Sequence, residues 1–172
     1  MTAMDIRLRL NYDAVTGVFV WLPKESVTGE ERRWNFRFAG RVAGKPDTRG
    51  HIQISLNHRM YAAHRLAWLY VYGEWPSGDL DHRDRVKTNN AIANLRLATR
   101  SQNNANTARR RNNTSGVTGV SWHKGLQKWA AYVGSAHLGY FAVKSDAVKA
   151  RATAAAERFG DFAGDLVPLE AA

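Results

Sequence analysis

The residues that decide the fold of this chain are DLDHRDRVKTNNAIANLRLATRSQNN, positions 79–104. Asp79–His82 is short enough to form one strand, and 94–99 alternates apolar and polar side chains with the period of two that a strand needs. Ser101 is a residue type that caps helices, so we expect a helix to begin at Gln102. The stretch predicts strand, loop, strand and helix in succession, which indicates the α+β class.

The segment before this stretch, residues 1–59, is predicted to be rich in strands. Residues 17–21 follow a turn, and 51–56 alternates with a period of two. Between them, 28–50 is rich in Gly and charge, which favours loop with one short strand around 41–43.

The hydrophobic period changes after a predicted hairpin turn at Asn57 and His58. Apolar residues repeat at helical spacing through 61–72, and Gly73 is a natural C-terminal cap. We therefore expect a helix over 61–72. His64 lies on this helix, where it is either a structural histidine or a second catalytic group.

The C-terminal third predicts a small sheet followed by a helix. Three short strands separated by turns are expected at 119–122, 128–133 and 137–141. The alanine-rich segment 145–159 ends at Gly160 and predicts one helix. Residues 109–115 contain no apolar side chain, which is typical of a solvated linker.

Charge points to a polyanionic partner. The formal net charge is +10, and residues 85–145 hold ten Lys or Arg without a single Asp or Glu. This concentration is the pattern expected of nucleic-acid binding. The simpler alternative is a basic surface that aids solubility. Solubility alone, however, does not require Asp and Glu to be absent from one contiguous third of the chain.

Composition excludes several other classes. Hydrophobic residues at 44% and charged residues at 23% argue against a disordered or fibrous chain. The longest apolar run, seven residues at 66–72, is far below the roughly 20 that a membrane span needs. The N-terminus lacks the pattern of a secretory signal, so we expect an intracellular protein.

The candidate chemistry is concentrated in Asp81, His82, Asn94 and Asn103. Phosphodiester hydrolysis needs an activated water and a cation that stabilises the charge developing on the phosphate. A histidine can take the proton from that water, and Asp or Asn oxygens suit one Mg²⁺ or Mn²⁺. With no cysteine in the chain, a zinc-thiolate site is excluded.

These residues resemble the HNH endonuclease signature, in the His-Asn-Asn version common among phage-borne and homing enzymes. The matching residues are Asp81-His82, 89–99 and 102–104, preceded by AHRLAW at 63–68 and GEWP at 73–76. The resemblance covers roughly residues 60–107. It implies a ββα-metal (His-Me finger) fold in which His82 is the general base. It further implies that Asp81 and Asn103 bind one divalent cation and that Asn94 braces the loop presenting His82.

The C-terminal third resembles the DNA-binding domain of plant ethylene-response factors. The resemblance rests on 116–122, 128–131, 138–141 and the alanine-rich helix. It implies a three-stranded antiparallel sheet lying in the major groove of DNA. The positions carried over are Trp122, Lys124, Lys128, Trp129 and Tyr132. Further phosphate contacts are expected from Arg96, Arg100, Arg109, Arg110 and Arg111.

The domain organisation expected from these patterns has a nuclease module between two other parts. The predicted divisions are a β-rich segment at 1–59, the nuclease at 60–108, a basic linker at 109–115, the DNA-binding module at 116–163 and a tail at 164–172. The role of 1–59 is left open, as an extension of the nuclease fold or a DNA contact.

The function expected from the sequence is metal-dependent cleavage of double-stranded DNA, in the cytoplasm of a bacterial or phage-infected cell. A monomer would nick, whereas a double-strand break would need a homodimer or two events. The alternative class is a DNA-binding protein without catalysis. An RNA-directed protein is disfavoured because the sheet lacks the glycine and aromatic motif of RNA-recognition sheets.

Overall fold

A computed structural model describes residues 1–25, 28–107 and 112–163 of the chain. The chain divides into two compact units, Met1–Ala98 and Thr99–Ala172. Every sheet among the described residues is antiparallel. This agrees with the predicted α+β class.

The first unit combines short helices with small sheets. Its helices are α1 (Ala3–Arg7), α2 (Gly29–Phe38) and α3 (Ala63–Tyr72). Its strands are β1 (Leu10–Tyr12), β2 (Phe19–Trp21), β3 (Lys45–Pro46), β4 (Ile52–Leu56), β5 (Arg59–Ala62), β6 (Asp79–His82) and β7 (Leu95–Ala98). The pairings are β1 with β2, β3–β4–β5, and β6 with β7.

The core of the first unit forms around α3. Leu66 and Leu69 recur at helical spacing and are buried against Ile6 of α1, Phe19 of β2 and Ile54 of β4. Burying each such side chain contributes about 1.5–3 kcal/mol. The helix ends at Tyr72, as the sequence predicts, because Gly73 adopts the left-handed conformation with φ 83°.

Helix α2 is absent from the sequence prediction, which made 28–50 loop with one short strand. The prediction was wrong because it passed over a capping box. The Thr28 hydroxyl accepts from the Glu31 amide, and the Glu31 carboxylate accepts from the Thr28 amide. The short strand expected at 41–43 is represented by an antiparallel bridge between Val42 and Val20.

The predicted hairpin at Asn57 and His58 is confirmed, and the two strands expected within 79–99 pair with each other. Asn57 and His58 both have positive φ, 51° and 61°, as a tight two-residue turn between β4 and β5 requires. Strand β6 pairs with β7 over its full length, with Asp79 opposite Ala98 and His82 opposite Leu95.

The second unit contains α4 (Arg100–Ala105), β8 (Val120–His123), β9 (Lys128–Val133), β10 (Ala136–Phe141) and α5 (Lys144–Phe159). The sheet order is β10–β9–β8, and α5 packs on one face. The three expected strands and the expected helix are therefore present. Helix α4 begins two residues before its predicted start, because Thr99 rather than Ser101 caps it, with Gln102 completing the capping box.

The division between the units differs from the predicted linker at 109–115. It falls between Ala98 and Thr99, because α4 contacts the short helix Gly160–Phe162 and thus belongs with the C-terminal sheet. Residues 108–111 and the predicted tail 164–172 lie outside the described residues. Among the helices that are described, none is long and apolar enough to cross a membrane.

A substitution at Gly17 tests the close approach of the N-terminal hairpin to residues 90–91. Gly17 has φ 73°, and an added Cβ would overlap backbone atoms of Asn90 and Ala91. We expect Gly17→Ala to lower the free energy of unfolding by about 3 kcal/mol or more, measured by urea denaturation. Gly73→Ala is the matched control, since its φ is also positive but no atom lies within 4 Å of the added Cβ. It should lose only about 1–2 kcal/mol, and equal losses in the two variants would contradict the close approach.

Candidate functional site

Asp81 and His82 lie at the end of β6, where the chain enters the loop that joins β6 to β7. Both side chains are buried, with 4% and 6% of their surface exposed. The strand ends at His82, and the following residue, Arg83, donates its amide hydrogen to the Asn94 carbonyl. Neighbouring strand residues point to opposite faces, so Asp81 and His82 meet different partners.

Asp81 is held by Arg96, its neighbour across the β6–β7 pair. The Arg96 Nε and Nη2 atoms each lie 2.8 Å from Asp81 Oδ2. Arg96 is itself only 9% exposed. The sequence analysis expects Arg96 to contact phosphate, and that contact stays a prediction. In the structure Arg96 lies inside the hairpin pair, where its guanidinium is a counter-charge to the buried Asp81 carboxylate.

His82 is oriented by Asn90, a residue to which the sequence analysis gave no role. The His82 Nε2 atom lies 3.2 Å from Asn90 Oδ1. The Asn90 Nδ2 group donates to the Thr88 carbonyl at 3.3 Å, which fixes the amide with its oxygen toward the histidine. An amide oxygen only accepts, so Nε2 of His82 is the donor in this contact.

Asn90 is in turn fixed by the N-terminal hairpin. The Tyr12 hydroxyl donates to the Asn90 carbonyl at 2.7 Å, and Asn90 is 2% exposed. Burial raises the pKa of Tyr12 to about 12, so its hydroxyl remains a donor at neutral pH. Gly17 lies directly against the Asn90 backbone, and Ile92 donates to the Ala14 carbonyl. Residues 12–17 therefore set the position of the segment that holds His82.

Asn94 lies in the predicted bracing position. Its Nδ2 donates to Asp84 Oδ1 at 2.9 Å and to the Asn89 carbonyl at 2.8 Å, and its Oδ1 accepts from the Asp84 amide. Burial acts to raise the pKa of Asp84, but hydrogen bonds from Asn89, Val86 and Asn94 outweigh it and lower the pKa below its ordinary value. Asn94 thus closes the loop that follows His82 rather than contacting the ring.

Two further histidines surround His82. The ring centroids of His64 and His82 are 5.2 Å apart, and His51 lies 5.4 Å from His64 and 6.0 Å from His82. Burial lowers the pKa of His64 to about 3, so its ring is neutral in this cluster at neutral pH. Its Nδ1 atom is buried and has no hydrogen-bond partner in the described part of the chain.

Asn103, the second expected metal ligand, lies half-buried on α4 in the second unit. Its role as a ligand stays a prediction. Among the residues that the structure describes, no group of three or more His, Cys, Asp or Glu side chains could hold a metal ion. A cation here would need amide or water oxygens in addition to the Asp81 carboxylate.

The second unit presents a sheet face that α5 does not cover, and we call it the open face. It carries Lys128 and four rings in contact, from His123, Tyr132, His137 and Tyr140. The centroid separations are 5.4 Å for His123–Tyr140, 4.6 Å for His137–Tyr140 and 4.8 Å for Tyr132–His137. A register shift between His137 and Gly139 brings His137 and Tyr140 to the same face.

The two tryptophans of the sheet lie on its other side. Trp129 packs with Val120 and the α5 residue Ala147, and Trp122 contacts Trp129 at a centroid distance of 5.2 Å. The cause is strand alternation, since Lys128 and Trp129 are neighbours and cannot share a face. Of the five sheet residues carried over from the resemblance, Lys128 and Tyr132 are on the open face. Lys124 is exposed in the turn between β8 and β9.

The remaining predicted phosphate contacts are arginines around α4. Arg100 is exposed at the start of this helix. Arg109, Arg110 and Arg111 lie outside the described residues. Their contact with phosphate stays a prediction.

A comparison with protein families finds one match around this site. Residues 61–105 match the model of the HNH endonuclease family. This segment has the sequence of an HNH endonuclease domain. The HNH segment includes α3, β6, β7 and α4, and therefore all four residues first selected for their chemistry.

The chain also has a phage relative. Protein 3.8 of Escherichia phage T7 is 38% identical over 71 residues, which are 41% of this chain and 59% of that protein. A solved structure described as DNA binding and cleavage by the HNH homing endonuclease I-HmuI has a TM-score of 0.39 and 21% identity. That match covers 55% of this chain and 49% of the other. The chain thus spans 59% of the first protein and about half of the second.

Replacing Arg96 tests the buried ion pair. Arg96→Met leaves the Asp81 carboxylate buried without its cation, so we expect the free energy of unfolding to fall by about 3–5 kcal/mol in urea denaturation with chelator. The double variant Asp81→Asn/Arg96→Met removes both charges and should recover much of the loss.

The control for this test is Arg59→Met, because Arg59 is exposed on β5 of the same unit. It should change the stability by less than about 0.5 kcal/mol. If Arg96→Met lowers the free energy of unfolding no more than Arg59→Met does, the ion pair does not stabilise the hairpin.

Proposed function

We propose that this chain is a metal-dependent DNA endonuclease of phage or mobile-element type that hydrolyses phosphodiester bonds. The observation that supports this most is the hydrogen bond between His82 Nε2 and Asn90 Oδ1, at 3.2 Å within the HNH segment. The contact holds the imidazole ring in one position, and a positioned imidazole can serve as a general base.

In this proposal His82 takes a proton from the attacking water. The water oxygen forms a bond to phosphorus as the bond from phosphorus to the leaving oxygen breaks. Proton removal by a positioned side chain accelerates such reactions by about 10²–10⁴-fold. Asn90 and Tyr12 serve as positioning residues, since they hold the ring and do not themselves reach the phosphate in this scheme.

One hard divalent cation is the proposed cofactor. Asp81 offers a carboxylate oxygen, and Mg²⁺ or Mn²⁺ binds such a ligand while keeping several waters. The amide oxygen of Asn103 is the second ligand that the HNH resemblance implies, and its part in the site stays a proposal. When bound, such an ion stabilises negative charge on the phosphoryl and leaving oxygens. The Arg96 guanidinium holds the Asp81 carboxylate in one orientation.

Duplex DNA is the proposed partner, and the open face of the sheet is the proposed contact. Lys128 supplies positive charge there, and the rings of Tyr132, His137 and Tyr140 supply polar edges at the spacing of neighbouring strands. Sheets of this size read DNA grooves in several protein classes. Arg100, Lys124 and the run 109–111 would add contacts to phosphate.

A second candidate function is DNA binding without catalysis. The observation that favours it is the ion pair between Asp81 and Arg96, because a carboxylate engaged within a hairpin also suits a purely structural role. The following measurement separates the two functions.

Substitution of His82 tests the nuclease. Wild-type protein is expected to convert supercoiled plasmid into nicked or linear product with Mg²⁺ or Mn²⁺ and to be inactive with chelator. His82→Ala should cleave at least about 100-fold more slowly while it still binds DNA, because only the base is lost. Product bands on a gel distinguish single-strand nicking by a monomer from cutting of both strands.

His58→Asn is the control for this experiment, since His58 is exposed in the β4–β5 turn and asparagine tolerates its positive φ. This variant should cleave like the wild type. DNA binding by every protein together with cleavage by none would favour the non-catalytic function.

The open face is tested by Lys128→Ala, with Lys149→Ala as the matched control. Lys149 is exposed on α5, the helix that covers the opposite side of the sheet. We expect Lys128→Ala to weaken duplex binding and to reduce the slope of log K against log salt by about one. Duplex affinity is measured by fluorescence anisotropy. If the two substitutions change this affinity and its salt slope equally, the open face is not the DNA contact.

A further inference from the structure

Helix α2 has one face that is fixed to the protein. The Trp34 ring lies 5.5 Å from Trp21 of β2 and 5.3 Å from Phe38. Asn35 on the same side accepts from the Lys24 amide at 2.8 Å and donates to the Lys24 carbonyl at 2.9 Å. These contacts, with the capping box at its start, hold the helix in one orientation.

The opposite side of α2 is basic and apolar at once. It carries Arg32, Arg33, Phe36 and Arg37, which we call the α2 surface, and all four side chains are exposed. Phe36 is 87% exposed, the largest value among the exposed large hydrophobic residues described. Arg32 and Arg33 lie one helical turn before Phe36, so they flank it on the helix surface. The Arg37 guanidinium lies over the Phe38 ring, 5.4 Å from its centroid.

Carboxylates are nearly absent from this side. The acidic residues of α2 are Glu30 and Glu31 in its first turn, and Glu31 is engaged by Thr28 in the cap. The later turns of the helix therefore present three cations and one ring. The exposed Phe36 ring is the apolar part of the α2 surface and lies on the same side of the helix as these cations.

We propose that the α2 surface is a DNA contact of this protein. This deepens the proposed nuclease function and rests on DNA being its substrate. The three arginines suit phosphate oxygens, to which guanidinium groups bind with paired hydrogen bonds. Phe36 suits the sugar and base edges between those phosphates, where apolar side chains insert against base steps.

Charge and size distinguish DNA from other occupants. A membrane surface is held by a helix with a broad apolar face, whereas α2 exposes Phe36 by itself and Phe38 only in part, since Phe38 packs on Trp34. The three arginines of the α2 surface make a polyanion the complementary partner.

The same contacts connect the α2 surface to His82. Trp34 packs on β2, β2 pairs with β1, and Tyr12 of β1 donates to Asn90, which holds the histidine. DNA bound by α2 is therefore bound by the unit that fixes His82. This gives the segment 1–59 a role in placing the substrate as well as in supporting the site.

The test measures binding of a fluorescent duplex DNA over a range of salt concentrations, with chelator present to prevent cleavage. Arg32→Ala and Arg33→Ala should each reduce the slope of log K against log salt by about one. Phe36→Ala should weaken binding about tenfold with the slope unchanged, because it removes an apolar contact and no charge. Lys149→Ala on α5 is the control for loss of one cation and should keep the wild-type slope.

The outcomes separate this inference from the nuclease itself. If all three α2 variants bind DNA with the affinity and salt slope of the wild type, the α2 surface is not a DNA contact. Cleavage of plasmid by the wild-type protein would then still support the nuclease function. Failure of the wild type to bind or cleave any DNA would overturn both. Vesicles of anionic lipid are tested with the same proteins. If the α2 variants lose the wild type's binding to these vesicles but keep its DNA binding, the α2 surface binds membranes and the inference is overturned. Thermal unfolding should be unchanged, since all four side chains are exposed.

Discussion

The buried Asn90 is the residue on which the arrangement of the first unit depends most. Its carbonyl accepts from Tyr12 and its side-chain oxygen meets His82, so one residue connects the N-terminal hairpin to the end of β6. A buried amide that lost either partner would carry a desolvation cost of about 1–3 kcal/mol. Satisfying the buried polar groups of Asn90 therefore also fixes the position of the His82 ring.

Asp81 shows how the same hairpin can serve stability and chemistry. A carboxylate with 4% exposure is costly without a counter-charge, and Arg96 provides one from the paired strand. In the proposed enzyme a cation would share this carboxylate with the guanidinium. The pair keeps a negatively charged ligand inside the fold before any metal binds.

The second unit illustrates how strand geometry selects a surface. Alternation along β9 sends Trp129 toward α5 and Lys128 and Tyr132 toward the open face. The bulge in β10 then adds His137 and Tyr140 to the same side. The open face therefore presents histidines and tyrosines, whereas Trp129 packs with the core beneath α5.

The sequence by itself determined the features that depend on neighbours within a few residues. The strands β6 and β9, the turn at Asn57 and the end of α3 at Gly73 all follow from local periodicity, turn residues and caps. The adjacency of Asp81 and His82 and the HNH pattern could also be read directly. Helix α2 was missed although its capping box is local, because charge and glycine content were weighted more heavily than the cap.

Only the tertiary structure decided which side chains meet. Tyr12 and Asn90 are 78 positions apart, and no local pattern links them. The choice of Asn90 rather than Asn94 as the partner of His82, the burial of Arg96 and the clustering of His51 and His64 all arise from the packing of distant segments. Periodicity fixes the face on which a residue lies, whereas hydrogen bonding and burial between elements fix what that residue can do.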